Sequence, residues 1–310
     1  MKHFPLRALF LILLFITLLL FSSEVTLGAK QGLLLWYSSI VPALFPFMVL
    51  SGMVVSSGEI TTVMSPFYRL LHPLLGLSYD GCYILITGLL CGYPIGAKTC
   101  SEFVLDERIT VNEGKYLMAI CNHPSPMFLL GYVYPLFADK IPVWLFIFTV
   151  YTPIIMIAMI AKLVYPFHTY HALPYNPGRI KKCESDADKA ILSSIEVLCK
   201  IGGYLVIFSI VIALIQNVLP LPKTVRLFLI GIMEMTTGIR ELSKLHPWQN
   251  GYLFSVASLT FGGISGIFQT KAVLQTPKNK AGLSVRPYIF WKLAHALLSS
   301  GLAYLICSNN

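Results

Sequence analysis

Charge is scarce in this chain, and acidic charge scarcest: 14 Asp and Glu stand against 23 Lys and Arg, and all four types make 12% of 310 residues. Soluble domains carry about 25%. With 56% apolar residues and a mean hydropathy of +0.72, the chain reads as an integral membrane protein rather than a soluble or disordered one. Glycine lacks the strict period of collagen. The seven cysteines have no CxxC spacing and mostly sit inside apolar runs, which excludes a disulfide scaffold and leaves them as small packing residues. A metal cluster, a phosphate loop and an activated nucleophile are also missing, so a membrane enzyme using His123 or His295 with Glu234 lacks its usual parts, and no cofactor is expected.

The net charge of +9 does not point to nucleic acid, because the basic residues lie in gaps between apolar runs and form no single stripe. A helix needs about 20 mostly apolar residues to cross the roughly 30 Å hydrocarbon layer. Seven stretches qualify or nearly so: 8–23, 31–58, 116–138, 141–161, 201–222, 247–270 and 287–308, the last with Lys292 near its start. The first reads as a retained anchor rather than a cleaved signal peptide, since Leu27-Gly28-Ala29 is a poor cleavage site. Two more stretches are broken, 81–97 by Gly92-Tyr93-Pro94-Ile95-Gly96 and 227–239 by Glu234, Thr236, Thr237 and Gly238. Taken as re-entrant hairpins, these leave a cytoplasmic N-terminus, an outer C-terminus and 17 of the 23 basic residues inside. Only Lys30, Lys140, Lys223, Arg226, Arg240 and Lys244 then lie outside.

The proline-containing stretch 165–189 divides the chain nearly in half. Each half runs in the same order: a long span, a broken segment, a span with special residues near its middle, and a span begun by proline. Gly96 and Lys98 answer to Gly238 and Arg240, and Pro142 to Pro287. Three crossings per half make the two repeats inverted, and paired broken segments in such repeats point to a transporter site near the midplane. The expected organisation is an anchor helix at 1–28, a first repeat at 29–164, a cytoplasmic linker at 165–189 and a second repeat at 190–310.

The strings Gly92-Tyr93-Pro94-Ile95-Gly96-Ala97-Lys98, Cys121-Asn122 with Ser125-Pro126, Glu234-Met235-Thr236-Thr237-Gly238-Ile239, and Phe261-Gly262-Gly263-Ile264 with Gln269 resemble the nucleoside-recognition, or Gate, domain family. Within it the chain is similar to sporulation integral membrane proteins of the YlbJ type. The resemblance implies an all-α polytopic fold similar to concentrative nucleoside transporters, a place in the cell or forespore membrane, and movement of dipicolinic acid. A sporulation scaffold that moves nothing, or a carrier of nucleoside-like solutes, are the alternatives. His123-Pro124 departs from the family pattern, where a second small polar residue is expected.

The expected substrate-binding residues are Gly92, Tyr93, Pro94, Gly96, Asn122, Ser125, Thr236, Thr237, Gly238, Gly262, Gly263, Ser265 and Gln269. Glycine and proline free backbone amides and carbonyls to face a ligand, or else merely kink a helix for packing. Gly262 and Gly266 also fit close helix packing through small residues. His123 is expected to hold a structural hydrogen bond to a neighbouring carbonyl. Two readings stand for Glu234: a carrier of a coupling proton or sodium, or an ion pair with Arg240. Lys98 and Arg240 either offer charge to an anionic solute or snorkel to the interface. Besides the solute and the bilayer, a second copy of the chain is the remaining partner considered.

Overall fold

The computed structural model describes residues 6–167, 187–274 and 282–308, and every regular element among them is helical. The centre of the expected linker, 168–186, lies outside the described residues. The first half contains α1 (Leu6–Leu20), α2 (Ser22–Leu35), α3 (Val41–Ser57), α4 (Ile60–Leu75), α5 (Tyr79–Cys91), α6 (Ile95–Leu105), α7 (Val111–Ile120), the single turn α8 (Pro126–Phe128) and α9 (Val143–Val164). The second contains α10 (Ala187–Asn217), α11 (Lys223–Met233), α12 (Met235–Leu242), α13 (Trp248–Phe261), α14 (Gly263–Leu274) and α15 (Val285–Ser308).

Five helical stretches are long and apolar enough to cross a membrane: Ser22–Ser57, Val143–Val164, Ala187–Asn217, Trp248–Leu274 and Val285–Ser308. Two of the seven stretches marked from sequence differ from this. The helix α1 has 15 residues, about 22 Å at 1.5 Å each, which falls short of the hydrocarbon layer. The stretch 116–138 divides at Cys121–Ser125, because Pro124 and Pro126 remove backbone donors and push their preceding residues out of the helical region. A further bend of 97° separates α4 from α5, after the left-handed cap at Gly76, φ 70°.

The span from α2 to α3 belongs to the packed body. Gly28 and Gly32, one turn apart on α2, lie against α10 so closely that a Cβ would come within 2.7 Å of Ile210 Cα and 2.8 Å of Val206 Cα. This is the small-residue packing by which helices associate where lipid is as apolar as the side chains. Trp36 adds a hydrogen bond from Nε1 to the Leu198 carbonyl at 2.8 Å. The expected domain boundary at residue 28 therefore falls inside the helix contact. Conversely, Phe15, Ile155, Leu163 and Leu297 are uncovered, as side chains facing lipid should be.

Two helical hairpins carry the rest of the argument. In the first, α5 packs on α6 and the open end is tied by Arg108, which donates to both oxygens of Asp80 at 2.5 and 3.2 Å. The hairpin thus enters and leaves at one level. Lys98 reaches Ser193 at 3.0 Å, and Asn112 donates to the Pro166 carbonyl at 3.1 Å, so residues assigned to one membrane face touch one another. In the second hairpin α11 packs on α12, and a Cβ on Gly238 would lie 2.6 Å from Gly231 Cα.

Candidate functional site

Four helices break, and the breaks meet. Between α5 and α6, Gly92 takes φ 77° and ψ −175°, and Pro94 caps α6 without a side-chain hydrogen bond. Between α7 and α8, Ser125 is extended, and its hydroxyl accepts from the Phe128 N–H at 3.3 Å. Between α11 and α12 one residue, Glu234, leaves helical geometry at φ −146° and ψ 122°. Between α13 and α14, Gly262 and Gly263 turn through φ 84° and 71°, a left-handed path that side chains disfavour.

The tips interlock through backbone. A Cβ on Gly92 would stand 3.1 Å from the Ser125 nitrogen, and one on Gly263 would stand 3.2 Å from both Met233 O and Met235 N. The Tyr93 ring lies over Gly262 and Gly266, where Cβ atoms would meet it at 3.6 and 3.2 Å. Its hydroxyl contacts Met235 Sδ, so the two hairpin tips touch. Tyr132 donates to the Thr236 carbonyl at 3.0 Å, and Tyr151 to the Pro124 carbonyl at 3.1 Å.

At this junction lies a cavity of about 60 Å³, space for a few waters at roughly 10–15 Å³ apiece. Gly92, Tyr93, Ser125, Glu234, Thr236, Gly262 and Gln269 line it, opposite an apolar wall of Ala43 and Leu44 from α3 and Ile201 and Leu205 from α10. Helices α6, α12 and α14 all begin at the junction, so the positive ends of their dipoles gather there.

Glu234 holds a role that neither reading from sequence contained. Its two oxygens accept the backbone N–H groups of Thr236 and Thr237 at 2.9 and 2.8 Å, capping α12. Arg240 is not its partner: the guanidinium is half exposed and lies 3.8 Å from Glu241. Lys98 likewise leans from α6 toward Ser193 and Glu102, away from the cavity.

The other expected residues support the junction from behind. Gly96 accommodates the Cys121 carbonyl, which a Cβ would approach to 2.5 Å, and Gly238 accommodates Gly231. Asn122 donates to Thr270 at 3.2 Å, while Ser265 accepts from Gln269 at 3.0 Å. Neither ring nitrogen of His123 makes a well-formed hydrogen bond, within 3.5 Å, among the described residues, and the ring packs edge-on against His295 at 4.6 Å.

Sequence reasoning passed over Lys292. It is 2% exposed on α15 and donates to the Asn122 carbonyl at 3.3 Å, with Tyr93 below it at 5.5 Å from the ring centre. A lysine two turns inside an otherwise apolar span was the available signal.

Fold and site together define a polytopic helical membrane protein whose broken helices surround a small polar-rimmed cavity. The chain is similar to the sporulation integral membrane protein YlbJ of Bacillus subtilis strain 168, at 29% identity over 109 residues. That match covers 34% of this chain and 26% of the relative, about a quarter of its length. No protein-family model and no solved structure matches the chain.

Proposed function

We propose that the protein is a transporter that moves a small polar, anionic aromatic solute, dipicolinic acid foremost, across a membrane of the developing spore. The observation that carries this reading is the convergence of four helix breaks on one cavity. Broken helices at membrane depth are tolerated where protein or a watery cavity satisfies their backbone groups, and this junction supplies helix N-termini suited to a carboxylate. The repeated order of elements, a long helix then a broken pair and a second broken pair before the last span, agrees with two inverted repeats and a fold like that of concentrative nucleoside transporters. The cavity as found is smaller than an aromatic diacid, so passage requires the hairpin tips to separate, as rocking repeats would do.

Coupling to a proton or sodium gradient is part of the proposal. Glu234 is retained as the candidate carrier because the cap places its carboxylate at the cavity wall. The test is uptake by proteoliposomes containing the purified chain, offered labelled dipicolinate or nucleosides, with and without imposed ion gradients. Dipicolinate uptake above empty liposomes supports the reading. Uptake of nucleosides alone changes the substrate, and uptake of neither leaves a sporulation scaffold as the better account.

A further inference from the structure

Behind the cavity wall lies a second polar centre. On α15, Lys292, His295 and Ser299 follow at i, i+3 and i+7, which places them on one face. All three are at least 98% buried, whereas Phe290, Leu293 and Leu297 on the same helix are exposed. His123, from the break between α7 and α8, meets His295 across this face.

The centre has an unusual number of polar atoms without partners. Both ring nitrogens of His123, Nδ1 of His295, Oγ of Ser299 and Oδ1 of Asn122 are buried and make no well-formed hydrogen bond, within 3.5 Å, among the described residues. Buried polar groups in native proteins are nearly always satisfied, so such a cluster is a place where water or a ligand completes the bonds. Lys292 sharpens the point. Among the described residues it has one hydrogen bond, to a backbone carbonyl, and no carboxylate within ion-pair distance. Glu234, the acid of the neighbouring cavity, is committed to the amides of α12. A cationic side chain held in an apolar span without a counter-charge is costly, and an entering anion removes that cost.

We propose that Lys292 and His123 form an anion-binding centre for one carboxylate group, beside the cavity at the ring of Tyr93, with His295 packed against His123 as its support. The Lys292 Cε lies 3.6 Å from where Gly262 would carry a Cβ, and the Tyr93 ring reaches the same point at 3.6 Å, so Lys292 adjoins two residues that line the cavity. Donors are assigned by the existing bonds. His295 Nε2 lies 2.8 Å from the Val150 carbonyl and therefore donates to it, leaving Nδ1 as a lone pair. His123, with neither nitrogen engaged, can turn an N–H toward the ligand. Lys292 Nζ and His123 N–H thus offer two donors and one positive charge, which match the two oxygens and single charge of a carboxylate.

This inference deepens the transport reading and rests on it only for the route by which the anion arrives. Its test is equilibrium binding by calorimetry to the full chain in detergent, which needs no transport. The probes are dipicolinate and its uncharged diamide. Wild type binds the diacid and binds the diamide at least about tenfold more weakly, Lys292→Gln weakens diacid binding about 10- to 100-fold, and Lys98→Gln leaves it unchanged. Thermal unfolding without ligand checks that Lys292→Gln is folded. Should it not fold, His123→Leu carries the test, with about tenfold weaker binding expected. Affinity within twofold of wild type in the folded variant, equal binding of diacid and diamide, or no diacid binding at all overturns the proposal. Binding that behaves as expected without uptake in proteoliposomes defeats the transport reading alone.

Discussion

Replacing Glu234 separates three roles: cap of α12, carrier of a coupling ion, and ion-pair partner of Arg240. In the structure each carboxylate oxygen receives one backbone N–H, from Thr236 at 2.9 Å and Thr237 at 2.8 Å. Glutamine keeps one acceptor oxygen and loses the charge, so one of the two capping bonds goes, and the variant should lose about 1–2 kcal/mol of stability. Alanine strands both buried N–H groups, at about 1–3 kcal/mol each, and should lose about 2–6 kcal/mol. Arg240 pairs with Glu241, so Arg240→Gln combined with Glu234→Gln should be additive within about 0.5 kcal/mol. Thermal unfolding of the detergent-solubilised single and double variants measures this. A coupling energy above about 1 kcal/mol between positions 234 and 240 would refute the capping argument and restore the ion pair. On the same proteins, solute binding that survives Glu234→Gln while gradient dependence vanishes supports coupling through this carboxylate, and retained gradient dependence removes Glu234 from that role.

Three further outcomes follow from packing and topology. Gly88 faces the Cys121 carbonyl with no room for a Cβ, whereas Gly131 has nothing within 4 Å of one; Gly88→Ala should cost about 1–3 kcal/mol or more by overpacking and Gly131→Ala almost nothing, as read by thermal unfolding. Gly96→Leu and Gly238→Leu should both lower the yield of folded protein on size-exclusion chromatography, because a side chain there meets Cys121 and Gly231 backbone instead of empty turn. In a background stripped of native cysteines, an impermeant thiol reagent should miss position 181 from outside and reach position 308, and the reverse pattern would invert the topology.

How much of this was legible in the sequence depends on what each residue leaves in the linear pattern. Two of the four helix breaks were, at Gly92-Tyr93-Pro94 and at Glu234 to Gly238, whereas those at Pro124 with Pro126 and at Gly262-Gly263 lie inside stretches apolar enough to read as spans. Of the residues singled out from sequence, Gly92, Tyr93, Ser125, Glu234, Thr236, Gly262 and Gln269 line the cavity. Lys98 and Arg240 do not, since nearness to a break says nothing about which way a side chain one turn into the next helix points. The capping role of Glu234 was hidden because Asp, Asn, Ser and Thr are the usual caps. Gly28 and Gly32 looked like ordinary constituents of an apolar helix until α10 was placed against them. Lys292 was visible as a charge, but its depth depends on the tilt and burial of α15, which no stretch of sequence specifies.

The central claim is that the junction of the four breaks is a place a solute visits, and the most direct measurement is solute protection at its wall. Thr236, whose residue lines the cavity, is replaced by cysteine in a cysteine-free background, and its alkylation by a small permeant reagent is followed in membranes with and without dipicolinate. The account predicts measurable alkylation that dipicolinate slows and its diamide does not. A cysteine at 236 that never reacts, or that reacts at the same rate whatever solute is present, would contradict it.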